Sequence, residues 1–312
     1  MHQPRGAANA LHIINGQKAI PHSFPWLLYL SVGDIGCGAA LLDICLGPDK
    51  SDMAITAAHC VAGWDSKRNQ TVKKNRSTMI IFGGIHNEHL IQREYGQQES
   101  EIENVSIIRG YTAKPPASVI YDLALLKLKT PMHFSEKVRS LCLPKKETED
   151  PPSSWRTCFT AGWGSLKQNE SEQPGVLRQA RVHVYSKQGC HKLSNQFKHQ
   201  TNKLEYELGI CTTPLERGRF TSYGDSGGPL VCKKRKNNQW VLRGVISGGT
   251  QLWAGLPPNF THYDTHVWTS KPIMHEWILS KIDEMSSVKK QCTPHDALGK
   301  TTWQKLANRI PF

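Results

Sequence analysis

Gly224-Asp225-Ser226-Gly227-Gly228-Pro229-Leu230 sets a serine among glycines. Glycine lets a backbone turn sharply and lets another chain approach it closely. Successive N–H groups beside such a serine can hold an oxyanion. Taken alone, the stretch also reads as an ordinary glycine-rich turn. A hydroxyl is a weak nucleophile, so the chemical reading requires a general base within reach and an acid to orient that base. Upstream, Ile55-Thr56-Ala57-Ala58-His59-Cys60 supplies an imidazole, and Tyr121-Asp122-Leu123-Ala124-Leu125-Leu126-Lys127-Leu128 supplies a carboxylate. Singly, His59 reads as a packed core histidine and Asp122 as a strand-end cap. Together, in the chain order His, Asp, Ser, the three point to nucleophilic catalysis.

Around these stretches, short runs rich in Val, Ile, Leu and Trp recur between Gly, Pro, Asn and Ser. Trp26–Val32, Met79–Gly84, Asn104–Ile108, Leu123–Leu128, Gly175–Tyr185, Pro229–Cys232 and Trp240–Gly249 read as short antiparallel strands. The fold class expected is all-β, a barrel or a sandwich. Helical pattern is confined to the end, where Ile273, Trp277, Ile278 and Ile282 recur at helical spacing between Ile273 and Met285. Asp65–Ser77, Asn87–Ser100 and Lys145–Ser154 read as long polar surface loops.

The 312 residues carry 38% hydrophobic and 8% aromatic side chains, enough for a real core and against wholesale disorder. Subtracting 26 Asp and Glu from 39 Lys and Arg leaves +13, which favours acidic partners. Apolar runs such as Phe24–Leu30 fall far short of the roughly 20 residues that span a bilayer, so no transmembrane segment is expected. Nine cysteines suggest disulfides and an oxidising compartment. The rival metal reading finds no Cys-x-x-Cys pair, so neither a metal nor a cofactor is expected. Sequons at Asn69, Asn75, Asn104, Asn169 and Asn259 are glycosylation candidates and support secretion. Met1–Ala10 has no apolar region that would make a signal peptide. Either the chain is a fragment or an unusual product of a secreted protein, or it is not secreted; the cysteines favour the first.

The chain resembles the chymotrypsin/trypsin-like serine proteases. The resemblance is carried by Ile13-Ile14-Asn15-Gly16, Thr56-Ala57-Ala58-His59-Cys60, Asp122-Leu123-Ala124-Leu125-Leu126, Ala161-Gly162-Trp163-Gly164 and Gly224 through Leu230. It implies two antiparallel six-stranded β-barrels with the site in the cleft between them, followed by a C-terminal helix. It divides the chain into a pro-segment or leader remnant (1–12), a protease domain (13–285) and a basic C-terminal extension (286–312). It implies Ser226 as nucleophile, His59 as base, Asp122 as its orienting acid, and the N–H groups of Gly224 and Ser226 as the oxyanion hole. Asp225 becomes the buried partner of a freed Ile13 amine, so cleavage before Ile13 would convert a zymogen. Matching positions imply the disulfides Cys37–Cys60, Cys158–Cys232 and Cys190–Cys211. Cys142–Cys292 is the favoured fourth pair, tying down the tail, and Cys45 is left unassigned.

The sequence departs from that family at three places. His12 precedes Ile13 where a basic residue usually stands, so a different activator, such as an aminopeptidase-type trimming, or a persistent zymogen-like state is expected. Phe220 stands where tryptic members carry an aspartate at the base of the specificity pocket, which argues against Arg or Lys preference. Ser247, Gly248 and Gly249 form the pocket's far wall, and His266 stands where relatives have glycine. His266 either plugs the pocket, leaving room for small side chains, or receives an acidic side chain through a charged ring.

Two functional classes follow. One is a secreted serine endopeptidase of non-tryptic specificity acting on protein or peptide substrates. The other is a pseudoprotease with a blocked pocket that works as a binding or regulatory protein. Lys73-Lys74-Asn75-Arg76, Lys145-Lys146 and Lys233-Lys234-Arg235-Lys236 read either as solvated loops or as an exosite for sulfated glycans and acidic proteins. A macromolecular inhibitor is a further candidate partner. Nucleic acid is not expected, because no matching motif is present.

Overall fold

The computed structural model describes residues 16–44, 49–114, 121–143, 155–164, 175–196, 209–216, 221–249, 264–269 and 271–286. Strands β2 (Leu27–Val32), β3 (Ile35–Leu41), β4 (Lys50–Thr56), β9 (Ala124–His133), β8 (Gln98–Ile107) and β7 (Met79–Gly83) close a six-stranded barrel in that order. The second barrel runs β11 (Arg178–Val184), β10 (Trp155–Gly162), β13 (Pro229–Lys234), β14 (Trp240–Gly249), β15 (Asp264–Trp268) and β12 (Gly209–Pro214), and the β11–β12 pairing closes it. Strand β1 (Gln17–Lys18) adds to β11. All these ladders are antiparallel, as the resemblance implied.

Period-two patterning drives the closure. Leu28, Leu30, Ala39, Leu41, Met53, Ile55, Ile81 and Leu126 are all fully buried in the first barrel. Each fully buried large aliphatic side chain contributes roughly 1.5–3 kcal/mol. The C-terminal helix α3 (Pro272–Met285) begins on a proline, whose missing N–H costs nothing at a helix start. Its buried stripe is Met274, Ile278 and Ile282, spaced by four. Ile273, which the sequence pattern placed on that stripe, is 48% exposed.

Three expectations change. The polar stretch 65–77 is no plain loop: Ala62–Asp65 (β5) and Gln70–Lys73 (β6) form a hairpin. Asp65 Oδ1 accepts from the N–H groups of Lys67 and Arg68 and closes its turn. Asn87–Ser100 contains a short 3-10 turn at Glu88–Leu90 and the first residues of β8, whose exposed edge is too polar to read as a strand. A helix, α2 (Lys187–Gln196), lies well before the C-terminus. Its polar composition hides it, and its Cys190 ties it to β12. The expected loop at Lys145–Ser154 lies outside the described residues, as do segments 1–12 and 287–312.

Disulfides Cys37–Cys60, Cys158–Cys232 and Cys190–Cys211 are formed. The expected Cys142–Cys292 bond is not made, because Cys142 is a free thiol. It accepts a hydrogen bond from Gln239 Nε2 at 3.1 Å and lies 4.0 Å from Asp43 Oδ2, and burial pushes its pKa up to about 12. Cys292 and Cys45 lie outside the described residues.

Asp52, at the irregularity of β4 beside Met53, and Lys127 of β9, the register partner of Met53, make a buried ion pair. Removing one partner of such a pair leaves an uncompensated charge. Asp52→Asn is predicted to lower unfolding free energy by about 3–5 kcal/mol in urea titrations. Asp52→Leu with Lys127→Met should recover most of that loss.

Candidate active site

His59 lies in the four-residue helical turn α1 (Ala58–Val61) that follows β4, and Asp122 lies just before β9. The β4–β9 ladder pairs Thr56 with Ala124, so the two side chains meet although 63 residues separate them. Asp122 is 2% exposed. Its Oδ2 lies 2.6 Å from His59 Nδ1, and its Oδ1 accepts from the His59 backbone N–H at 2.8 Å. Ser247, on β14 of the second barrel, donates its hydroxyl to the same Oδ2 at 2.6 Å. A buried carboxylate requires such donors, because stripping it of water without replacement is costly. With Asp122 ionised, the imidazole proton sits on Nδ1, which leaves the Nε2 lone pair free to accept.

The Ser226 turn is held from both barrels. The Ser226 carbonyl accepts from Gly38 N–H of β3 at 2.7 Å and lies 3.7 Å from Cys60 Sγ, one residue beyond His59. Gly227 N–H donates to the Ile246 carbonyl at 2.8 Å, and Ile246 N–H donates to the Gly228 carbonyl at 2.9 Å. At Gly227 the backbone has φ +80°, and a Cβ there would lie 2.2 Å from Thr56 Oγ1 and 2.4 Å from the Gly38 carbonyl. No side chain fits. The structure therefore brings the His59–Asp122 pair and the Ser226 backbone to one seam between the barrels.

Gly224 adopts φ +98°, a conformation that favours glycine at the start of this turn. Asp225 is 1% exposed, and its carboxylate accepts from Gly164 N–H and Ser222 N–H, each at 2.8 Å. A Cβ on Gly164 would lie 2.3 Å from Asp225 Oδ2, so the Ala161-Gly162-Trp163-Gly164 motif is a glycine cradle for that acid. Ile13, the amine expected opposite Asp225, lies outside the described residues, and so does Phe220.

His266, on β15, pairs in register with Ile246 on one side and Ile210 on the other. It is 1% exposed, and its Nε2 lies 2.9 Å from Thr212 Oγ1. Burial pushes its pKa down to about 3, so the ring is neutral at physiological pH. A neutral ring carries no charge to meet an acidic side chain. Gly249 ends β14 opposite Asp264. Ser247, expected only as a pocket wall, also anchors Asp122, and Thr212 carries no signal in the sequence that would have marked it as the partner of His266.

The remaining expectations divide. Asn69, Asn75 and Asn104 are exposed, whereas Asn169 and Asn259 lie outside the described residues. Lys74 Nζ donates to the Cys60 carbonyl at 3.0 Å, while Lys73 and Arg76 donate to the carbonyls of Val105 and Glu103. These cations brace the β5–β6 hairpin and are less available to an anion. Arg235 and Lys236 are exposed in the β13–β14 hairpin, whereas Lys233 is buried with Nζ 5.7 Å from the Trp240 ring centre. Cys37, His59 and Cys60 cluster closely enough to suggest a metal site. Both sulfurs are committed to a disulfide and the imidazole to Asp122, so the donor set does not fit an ion.

Comparison with known proteins adds to this geometry. The sequence profile of the family described as Trypsin matches residues 13–268. Ovochymase-2 of Mus musculus is 30% identical over 293 residues, covering 92% of this chain and 44% of that protein. Ovochymase of Halocynthia roretzi is 26% identical over 290 residues, covering 92% of this chain and 16% of that protein. The chain thus spans less than half the length of these curated relatives.

Gly227→Ala is predicted to fold less stably, by about 1–3 kcal/mol from overpacking alone. Calorimetry should show the lowered melting temperature. An unchanged value would mean that Thr56 and Gly38 leave room for a methyl group at Gly227.

Proposed function

The chain belongs to the trypsin family of serine proteases, and from that premise we propose that it is a secreted endopeptidase working through Ser226, His59 and Asp122. The observation that carries the proposal is the buried Asp122 carboxylate shared by His59 and Ser247 beside the Ser226 turn. Ser226 Oγ attacks the scissile carbonyl carbon while His59 Nε2 takes the hydroxyl proton. The carbonyl oxygen becomes an oxyanion held by the N–H groups of Gly224 and Ser226. The C–N bond breaks as His59 returns the proton to the leaving amine, leaving Ser226 acylated. Water then attacks the ester, giving its proton to His59, and the acid product leaves as that proton goes back to Ser226. Asp122 fixes the tautomer and offsets the imidazolium charge in both halves.

Activation by a freed Ile13 amine seated on Asp225 is part of the same proposal. So is secretion as a glycoprotein, which the exposed sequons at Asn69, Asn75 and Asn104 support. The preference proposed is for small, uncharged residues before the cleaved bond. Its support is the neutral, buried His266, one strand from the Ile246 segment that holds the nucleophile turn. The same residue favours a second reading, in which the pocket is closed and the protein binds without cleaving.

A fluorophosphonate probe separates the two readings. Labelling of the chain with Ile13 as its verified N-terminus, lost in Ser226→Ala, supports the enzyme; no labelling of that form supports the binding protein. Turnover in the Ser226→Ala protein should fall on the order of 10⁶-fold. For specificity, His266→Gly should raise kcat/KM for Phe relative to Ala before the scissile bond by about 10-fold or more, the scale of a reshaped apolar pocket. An unchanged ratio, or efficient cleavage after Arg in the unmodified enzyme, would overturn the pocket reading.

A further inference from the structure

Glu88 is a buried carboxyl that the proposed chemistry does not use. It sits in the 3-10 turn Glu88–Leu90 and is 8% exposed. The Tyr29 phenol of β2 hydrogen-bonds it, and the Gly175 backbone contributes a second hydrogen bond. His89 Nε2 lies 3.9 Å from its Oε1. Its own N–H donates to the Gly175 carbonyl at 2.7 Å, Leu177 N–H donates to the His86 carbonyl at 2.7 Å, and Asn87 bridges Val176. The 86–88 segment of the first barrel is thereby zipped to the segment leading into β11 of the second.

From Glu88 a continuous set of contacts reaches the nucleophile turn. The Tyr29 ring meets Trp163 edge-on, with centres 5.6 Å apart and planes at 85°. Trp163 Nε1 donates to the His86 carbonyl at 3.3 Å, at the same zipper. Its neighbours Gly162 and Gly164 enclose the Asp225 carboxylate, one residue before Ser226. The negative charge of Asp225 acts on Glu88 through this interior. Two buried acids, one from each barrel, therefore flank the Tyr29–Trp163 stack.

We propose that Glu88 is a positioning residue: its protonation state sets how firmly the Trp163–Gly164 shelf holds Asp225, and so tunes the Ser226 turn. The rate consequence rests on the proposed endopeptidase activity; the shelf consequence does not.

Burial, reinforced by Asp225, pushes the Glu88 carboxyl up to about 7, from 4.5 in an open chain. Between those values the folded protein keeps a proton that the unfolded chain has released. Stability therefore falls as pH rises through that window and levels off above it. Ionised Glu88 places a second negative charge beside Asp225. The other groups facing this site are Tyr29, His86, His89 and Asp225, with Glu94 carboxylate oxygens accepting from the N–H groups of His86 and Asn87, and Lys18 acting on His86. The readout is therefore the difference between Glu88 variants, in which these neighbouring groups are unchanged.

The test compares the Ser226→Ala protein with Ser226→Ala/Glu88→Gln at matched pH from 5 to 8.5. Glutamine keeps the shape and a hydrogen-bonding carbonyl without the charge. At pH 5 the two proteins should melt alike; at pH 8 the glutamine variant should melt about 2–4 °C higher or more. Hydrogen exchange of the Gly164 and Ser222 amides, which Asp225 holds, should be several-fold slower in the glutamine variant at pH 8 and equal at pH 5. Tyr29→Phe keeps the stack on Trp163 but removes the phenol donor, so it should shift the melting transition to higher pH. In the active background, the kcat/KM ratio of Glu88→Gln to the unmodified protein should rise several-fold across the same range. Equal melting and equal exchange at every pH would overturn the proposal, whether or not the protein cleaves peptides. A melting difference without an exchange difference would reduce Glu88 to a structural residue and overturn its positioning role. A flat activity ratio, in a protein that does label with fluorophosphonate, would overturn the coupling to Ser226.

Discussion

One buried negative charge organises this molecule. The Asp122 carboxylate lies out of water and takes hydrogen bonds from His59, from the His59 backbone and from Ser247. Two of those donors belong to the first barrel and one to the second. Satisfying the carboxylate therefore requires both barrels in register. In a low-dielectric interior an unmet carboxylate costs several kcal/mol, so the packing of the seam and the electrostatics of the site are a single constraint. The Ser226 turn repeats the device in backbone atoms, bonded to β3 through Gly38 and to β14 through Ile246.

Much of the fold could be read from the chain, because strands with one buried face show period-two patterning and the motifs around His59, Asp122 and Ser226 are local. What escaped was what patterning cannot show. The β5–β6 hairpin and the start of β8 carry too few apolar side chains, and α2 is polar along most of its length. Ser247 reads as a pocket wall, since nothing local announces a bond to a carboxylate 125 residues away. The two readings of His266 differ only in solvation, a tertiary property. The ring is enclosed between β12 and β14, and that burial lowers its pKa.

The two buried acids near the seam meet burial in different ways. Asp225 is met by backbone donors from Gly164 and Ser222 and by glycines that let the backbone close on it. Glu88 is met by a phenol and one stretch of backbone, and burial raises its proton affinity.

The small strand β1 has a consequence for the order of events during synthesis. Gln17 and Lys18 pair with Gln179 and Arg178 of the second barrel, and Arg178 Nη1 donates to the Gly16 carbonyl across 162 residues at 3.1 Å. The first barrel, by contrast, takes all its strands from Leu27 to His133. A growing chain can thus close that barrel before Gln17 and Lys18 have a strand to pair with, so the β1–β11 ladder waits on the second barrel.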